Sequence, residues 1–143
     1  MTTALFTKIL IATDGSDRNK AAVSEALRIG KACGASVHAV YVADSRALDS
    51  AAAGSVAGDA WAMIQSEAAA ALAHVKSLGA GVNVETVVLE GKPAAEIVRY
   101  AKDQKIDLIV IGTQGRQGIE RFLLGSVAES VIRSAPCRVL VVK

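Results

Sequence analysis

The sequence predicts an α/β protein: a single open parallel sheet of five strands with helices on both faces. Three observations lead there. Five short β-rich runs alternate with four helical patterns along 143 residues, and such alternation calls for right-handed crossovers between parallel strands. The first, fourth and fifth runs are near-continuous Ile, Val and Leu, as expected of strands covered on both faces. Two strand ends, Thr13-Asp14-Gly15-Ser16 and Gly112-x-x-Gly115, carry small residues at the edge of the sheet where ligands of open α/β folds bind.

The strands are read at residues 8–13, 36–42, 83–89, 107–111 and 138–142. The first helix, 18–33, follows the Asp14-Gly15-Ser16 turn. The second, 59–78, places Trp61, Ile64, Ala68, Leu72 and Val75 at three- and four-residue steps, so that one stripe faces the sheet. Gly79 and Gly81 then end it. The third, 94–104, opens on Gly91-Lys92-Pro93, because a first-turn N–H has no helical partner for proline to remove. Ile97, Tyr100 and Ala101 form its inner face. The fourth, 127–133, is preceded by Ser126, which with Glu129 makes the S-x-x-E pattern of a capping box. Residues 44–58, rich in Ala, Ser and Gly, are longer than an ordinary βα connection. Two readings stand for them: a lid beside the second strand's end, or an insertion without a role.

Length and composition set the bounds. The chain, residues 1–143, is read as one domain with a core built from Ala, Val, Leu and Ile, since 52% of it is hydrophobic and only 3% aromatic. A net charge of +2 without charge runs argues against a nucleic-acid face and against a polybasic membrane contact. No apolar stretch reaches the length of a membrane span, and no secretory leader is recognised. The expectation is a cytoplasmic protein with no nucleic-acid or membrane partner. Cys33 and Cys137 are read as two buried small apolar residues, with a disulfide left open. His38 and His74 stand alone, without metal-ligand spacing.

The chemistry concentrates in Gly112-x2-Gly115-x9-Gly125-Ser126. A strand that runs into a glycine loop and then a helix can present bare N–H groups and a helix N-terminus to phosphate. Asp14, after the first strand, can accept hydrogen bonds from ribose hydroxyls if strands one and four are neighbours. Simpler roles compete. The glycines can be turn residues, Ser126 an N-cap, and Asp14 a cap of the first helix. A Walker A sequence is missing and no general base stands out, so the reading is a nucleotide-binding regulatory protein with slow or no hydrolysis, not a motor or kinase. A phosphorelay receiver is excluded because the third strand ends in Leu89-Glu90, without its acceptor Asp.

The chain resembles the universal stress protein family, and in particular its ATP-binding subgroup. The likeness lies in Ile9-Leu10-Ile11-Ala12-Thr13-Asp14-Gly15-Ser16, in Gly91-Lys92-Pro93, in Ile109-Val110-Ile111-Gly112-Thr113-Gln114-Gly115-Arg116, in Leu123-Leu124-Gly125-Ser126-Val127-Ala128-Glu129 and in Val139-Leu140-Val141-Val142. The resemblance implies strand order 3-2-1-4-5 and ATP, with Mg2+ or Mn2+ carried by its phosphates, at the carboxyl ends of strands one, two and four. It implies that Ala12 and the backbone of Val42 border the adenine, that Asp14 holds the ribose and that Thr13 is also among the nucleotide-binding residues. Gly112, Gly115, Gly125, Ser126 and Val127 would line the phosphates. It further implies a homodimer through strand Arg138–Val142. Gln114 stands where the family often has His or Arg, leaving Arg116 to supply that charge, and Arg138 stands where proline is frequent. The other reading of the same resemblance is a stress protein that binds no ATP and serves as a dimeric protein-interaction module.

Overall fold

The computed structural model describes residues 4–44, 57–113 and 124–143. The order of elements is β1 (Lys8–Ala12), a 3-10 turn (Asp17–Asn19), α1 (Lys20–Cys33), β2 (Ser36–Asp44), α2 (Ala57–Leu78), β3 (Val84–Gly91), α3 (Pro93–Asp103), β4 (Leu108–Gly112), α4 (Ser126–Ser134) and β5 (Arg138–Val142). The five strands form one parallel sheet in the order β3-β2-β1-β4-β5. The chain winds outward from β1 to β3, returns, and winds the other way through β4 and β5. The switch point therefore lies between β1 and β4, which pair from Ile9↔Leu108 to Ile11↔Val110.

The strand pleat divides the core in two. Ile9 and Ile11 of β1, Val37, Ala39 and Tyr41 of β2 and Val110 of β4 pack under α1 and α2, against Val23, Leu27, Ala68, Leu72 and Val75. Their neighbours Leu10, Val40, Ile109 and Ile111 face the other way, against Ile97 and Ala101 of α3 and Ala128 and Val131 of α4. Period-two alternation thus survives in strands that look uniformly apolar, because both faces are covered.

Coverage differs from expectation at one edge. β1 and β4 are buried, as their composition predicts, but β5 is half-buried along its whole apolar length. The outermost strand lacks a neighbour on one side, and an Ile/Val/Leu run reads the same in a central strand and in an uncovered edge. The longest unbroken run of buried residues, Val37–Tyr41, lies in β2, which the polar residues His38 and Tyr41 obscure in sequence.

Other differences are local. Ser16 precedes a 3-10 turn, so the regular helix starts at Lys20 and not at residue 18. β2, β3 and β4 each run past the expected end, to Asp44, Gly91 and Gly112. Cys33 and Cys137 are free thiols and only half-buried. Most of the 44–58 connection lies outside the described residues. Among the described residues no helix is long and apolar enough to cross a membrane.

Candidate functional site at the strand ends

At the carboxyl end of the sheet, four strands arrive side by side. Ala12 of β1 pairs with Val40, two residues before Val42, and Thr13 donates its N–H to the Val40 carbonyl at 2.9 Å. Gly112 of β4 pairs with Val142 of β5, and Thr113 donates to the Val142 carbonyl at 3.1 Å. β1 and β4 are neighbours, so the Asp14 turn and the glycine motif leave adjacent strands.

The motif's two ends meet. Gly125 donates its N–H to the Thr113 carbonyl at 2.7 Å, which brings the start of α4 back to the end of β4. Gly125 is the N-cap of α4 with extended backbone (φ −62°, ψ 155°). The first helical bond is Glu129 N–H to Gly125 C=O, 3.0 Å, so the N–H groups of Ser126, Val127 and Ala128 precede any intrahelical acceptor. Together with the helix dipole, they form a concentration of donors suited to an anion.

Ser126 departs from the capping-box expectation. It is the first helical residue, not the cap, and no side-chain cap bond forms. Its would-be partner Glu129 is instead engaged one turn on, accepting from Arg133 at 2.8 Å. A geometry one residue out of register prevents the reciprocal bonds. Ser126 is exposed.

The strand ends on the α3/α4 face are apolar. Ala12, Val42, Leu89, Val127 and Val141 are all half-buried and pack against the core cluster on the α3/α4 face. Three of the residues singled out from sequence, Ala12, Val42 and Val127, thereby share one face with the start of α4. Gly115 and Arg116 lie outside the described residues.

Asp14 makes a local turn. Its Oδ1 accepts from the Ser16 N–H at 2.9 Å and the Ser16 hydroxyl at 2.6 Å. Gly15 between them has φ +77°, and a Cβ there would stand 3.1 Å from that of Ala71 on α2, so this glycine meets both a left-handed conformation and a close approach. Asp14 is half-exposed, and both hydrogen bonds it accepts within the described residues fall on one oxygen, leaving Oδ2 for another donor. Thr13 is buried, and its hydroxyl oxygen accepts from the Gly15 N–H at 3.2 Å.

Asn19, which the sequence reading passed over, and His38, which it read as standing alone, hold this region or its surroundings in place. Asn19, in the 3-10 turn, reaches back under the loop and donates its Nδ2 to the Ala12 carbonyl at 3.2 Å. His38 is not isolated. Parallel register sets it opposite Glu85, its Nε2 lies 3.0 Å from that carboxylate, and its Nδ1 lies 2.8 Å from the Tyr100 hydroxyl. Burial pushes the imidazole below its ordinary pKa, Glu85 pulls it up and Lys8 adds to the lowering. The neutral ring then donates Nε2–H to the carboxylate and accepts the Tyr100 O–H at Nδ1. A signal for Asn19 was present, a polar residue just inside a helix start. None existed for the His38 pair, whose partners come from other strands and helices.

Comparison with known proteins agrees with this geometry. The model of the universal stress protein family matches residues 5–143. The chain belongs to the universal stress protein family. Universal stress protein MJ0531 of Methanocaldococcus jannaschii is 47% identical over 145 residues, covering 97% of this chain and 83% of its own length. The solved structure of the hypothetical protein MJ0577 superposes with a TM-score of 0.85 at 29% identity, covering 97% of this chain and 96% of that one. A universal stress protein solved in complex with cAMP has a TM-score of 0.69 at 28% identity, with 96% of each chain covered.

Proposed function

We propose that the chain is an ATP-binding regulatory protein, holding the nucleotide at the carboxyl ends of β1, β2 and β4. The observation that carries this reading is an uncapped helix N-terminus and an apolar surface on one face of the sheet. Ser126 and Val127 open α4 while Ala12, Val42 and Val127 pack on the same face. Anion-binding donors and an apolar surface for a flat base thus share one face of the sheet, at the strand ends where open α/β sheets take nucleotides. The cAMP complex of a 28%-identical relative supports an adenine nucleotide as the ligand class.

In this reading Ala12, Thr13 and the backbone of Val42 border the nucleoside. Asp14 takes the ribose hydroxyls on Oδ2, since its Oδ1 is held by Ser16. The amides of Gly112, Gly115, Gly125, Ser126 and Val127 take the phosphates, with the Ser126 hydroxyl as a further donor and Arg116 as the cation. Mg2+ or Mn2+ enters with the phosphates. Hydrolysis is slow or absent without a partner, because the sequence has no Walker A loop and no evident general base, Asp14 being engaged by the ribose. The protein works in the cytoplasm as a homodimer joined through β5, whose half-buried apolar edge supports that role.

Isothermal titration with ATP and Mg2+ tests the proposal. Saturable heat is the expected result, and the absence of both heat and thermal stabilisation at millimolar ATP would overturn it. The β5 edge also favours a second reading, a dimeric interaction module without nucleotide, which that negative result would select.

A further inference from the structure

The register of the sheet leaves one backbone donor open at the switch point. Along β1 the N–H and C=O groups point alternately to the two neighbouring strands. Lys8 turns its carbonyl toward the β4 side, where it accepts from the Asp107 N–H at 2.9 Å, and Thr13 turns its N–H toward β2. Ala12, even-numbered like Lys8, therefore faces β4. Just past β4, Thr113 donates to Val142 of β5, so its neighbour Gly112 faces β1. The pairing of β1 with β4 stops at Ile11↔Val110, whereas β4 stays paired with β5 through Gly112↔Val142. One further step of the β1–β4 ladder would join the Gly112 N–H to the Ala12 carbonyl. That step is not taken.

Asn19 occupies the acceptor instead. Its Nδ2 donates to the Ala12 carbonyl at 3.2 Å. The side chain is 6% exposed, and its Oδ1 is buried without a partner among the described residues. Turning the amide over would set two acceptor oxygens against each other, so the orphan oxygen is a consequence of the bond to Ala12. An amide that only filled the interior would match both its ends, because an unmatched buried acceptor is costly. Gly112, the last residue of β4, is half-buried where the four residues before it are buried.

We infer that Asn19 is a positioning residue for the proposed nucleotide site: by occupying the Ala12 carbonyl it keeps β1 and β4 from closing by one more hydrogen bond and leaves the Gly112 N–H for a phosphate oxygen. The inference rests on the nucleotide reading and adds to it the side chain that holds the crevice open. Asn19 itself touches no ligand. Leucine, of similar size, removes its donor and its orphan acceptor together. The Ala12 carbonyl, left without a donor, then draws the Gly112 N–H.

The test compares the wild type with Asn19→Leu and Asn19→Ala, first without nucleotide. NMR scalar coupling across a hydrogen bond, from the Gly112 nitrogen to the Ala12 carbonyl carbon, reads the closure directly, and a merely structural role for Asn19 would not produce it. The wild type is expected to lack the coupling. Both variants are expected to show it, with slower exchange of the Gly112 amide. In titration calorimetry with ATP and Mg2+ they are expected to bind about tenfold more weakly, the loss of one donor to a charged oxygen. Asn19→Ala keeps the comparison open if leucine disturbs the fold, and the wild-type coupling is read in either case. A coupling already present in the wild type, its absence from the variants, or undiminished ATP affinity in a variant that shows it would overturn the inference and leave nucleotide binding standing. A wild type that takes up no ATP would instead overturn the nucleotide reading, and this inference with it.

Discussion

Replacing Tyr100 by Phe isolates one buried hydrogen bond. The hydroxyl lies 2.8 Å from His38 Nδ1, and His38 is only 4% exposed. The ring contact, edge-on with centroids 5.8 Å apart at 63°, survives in Phe, so the substitution deletes the hydroxyl and little else. Nδ1 is then a buried acceptor with no donor, which costs about 1–3 kcal/mol. For a chain of this length that lowers Tm by about 3–10 °C. His38→Leu on the same background removes the orphan acceptor, and Glu85, 57% exposed, can turn to water. The double variant is therefore expected to be no less stable than Tyr100→Phe alone, a non-additive result. Thermal melts at pH 8 of the wild type, both single variants and the double variant decide it. A Tm change under about 1 °C for Tyr100→Phe, or strict additivity in the double variant, would refute the assigned hydrogen bond.

The other predictions are briefer. Burial lowers the His38 pKa from 6.5, so the unfolded chain binds a proton more readily than the native one just below that pH. Stability should fall as pH drops from about 6.5 toward the lowered native value, and His38→Leu should lack that component in urea melts across pH 5–8. Ser126→Ala should change stability by less than about 0.5 kcal/mol, since Ser126 is not the cap, while weakening ATP in titration calorimetry. Asp107→Ala should do the reverse. That carboxylate accepts from the Thr7 N–H at 2.8 Å, the Thr7 hydroxyl at 2.9 Å and the Lys8 N–H at 3.1 Å, so its loss should cost about 2–4 kcal/mol in urea melts without altering ATP affinity. Sedimentation at micromolar concentration should find a dimer, and a monomer would remove β5 as its interface.

The sequence made the architecture legible because apolar runs and helical stripes were strong and separately placed. The stripe Ala68, Leu72, Val75 is buried as its spacing implies, and Pro93 opens α3. Strand order was not in the periodicity at all. It came with the family resemblance, and the sheet confirms it. Where the reading failed, it failed for want of three-dimensional neighbours. β5 looked like a central strand because composition does not say who sits alongside. Ser126 looked like a cap because S-x-x-E fixes spacing but not the residue at which the helix turns regular. His38 looked solitary because its partners are set by parallel register and by the packing of α3. Half of the candidate site, the glycine motif and Asp14, was visible as residue types. Ala12, Val42 and Val127 came with the family resemblance, and the pleat was needed to show that they pack on one face of the sheet.

An amide NMR titration with ATP and Mg2+ bears most directly on the strand-end site. Shifts should saturate and concentrate at Val42, Gly112, Thr113, Gly125, Ser126 and Val127. Saturable binding that leaves those amides unmoved, or no binding at millimolar nucleotide, would contradict the account.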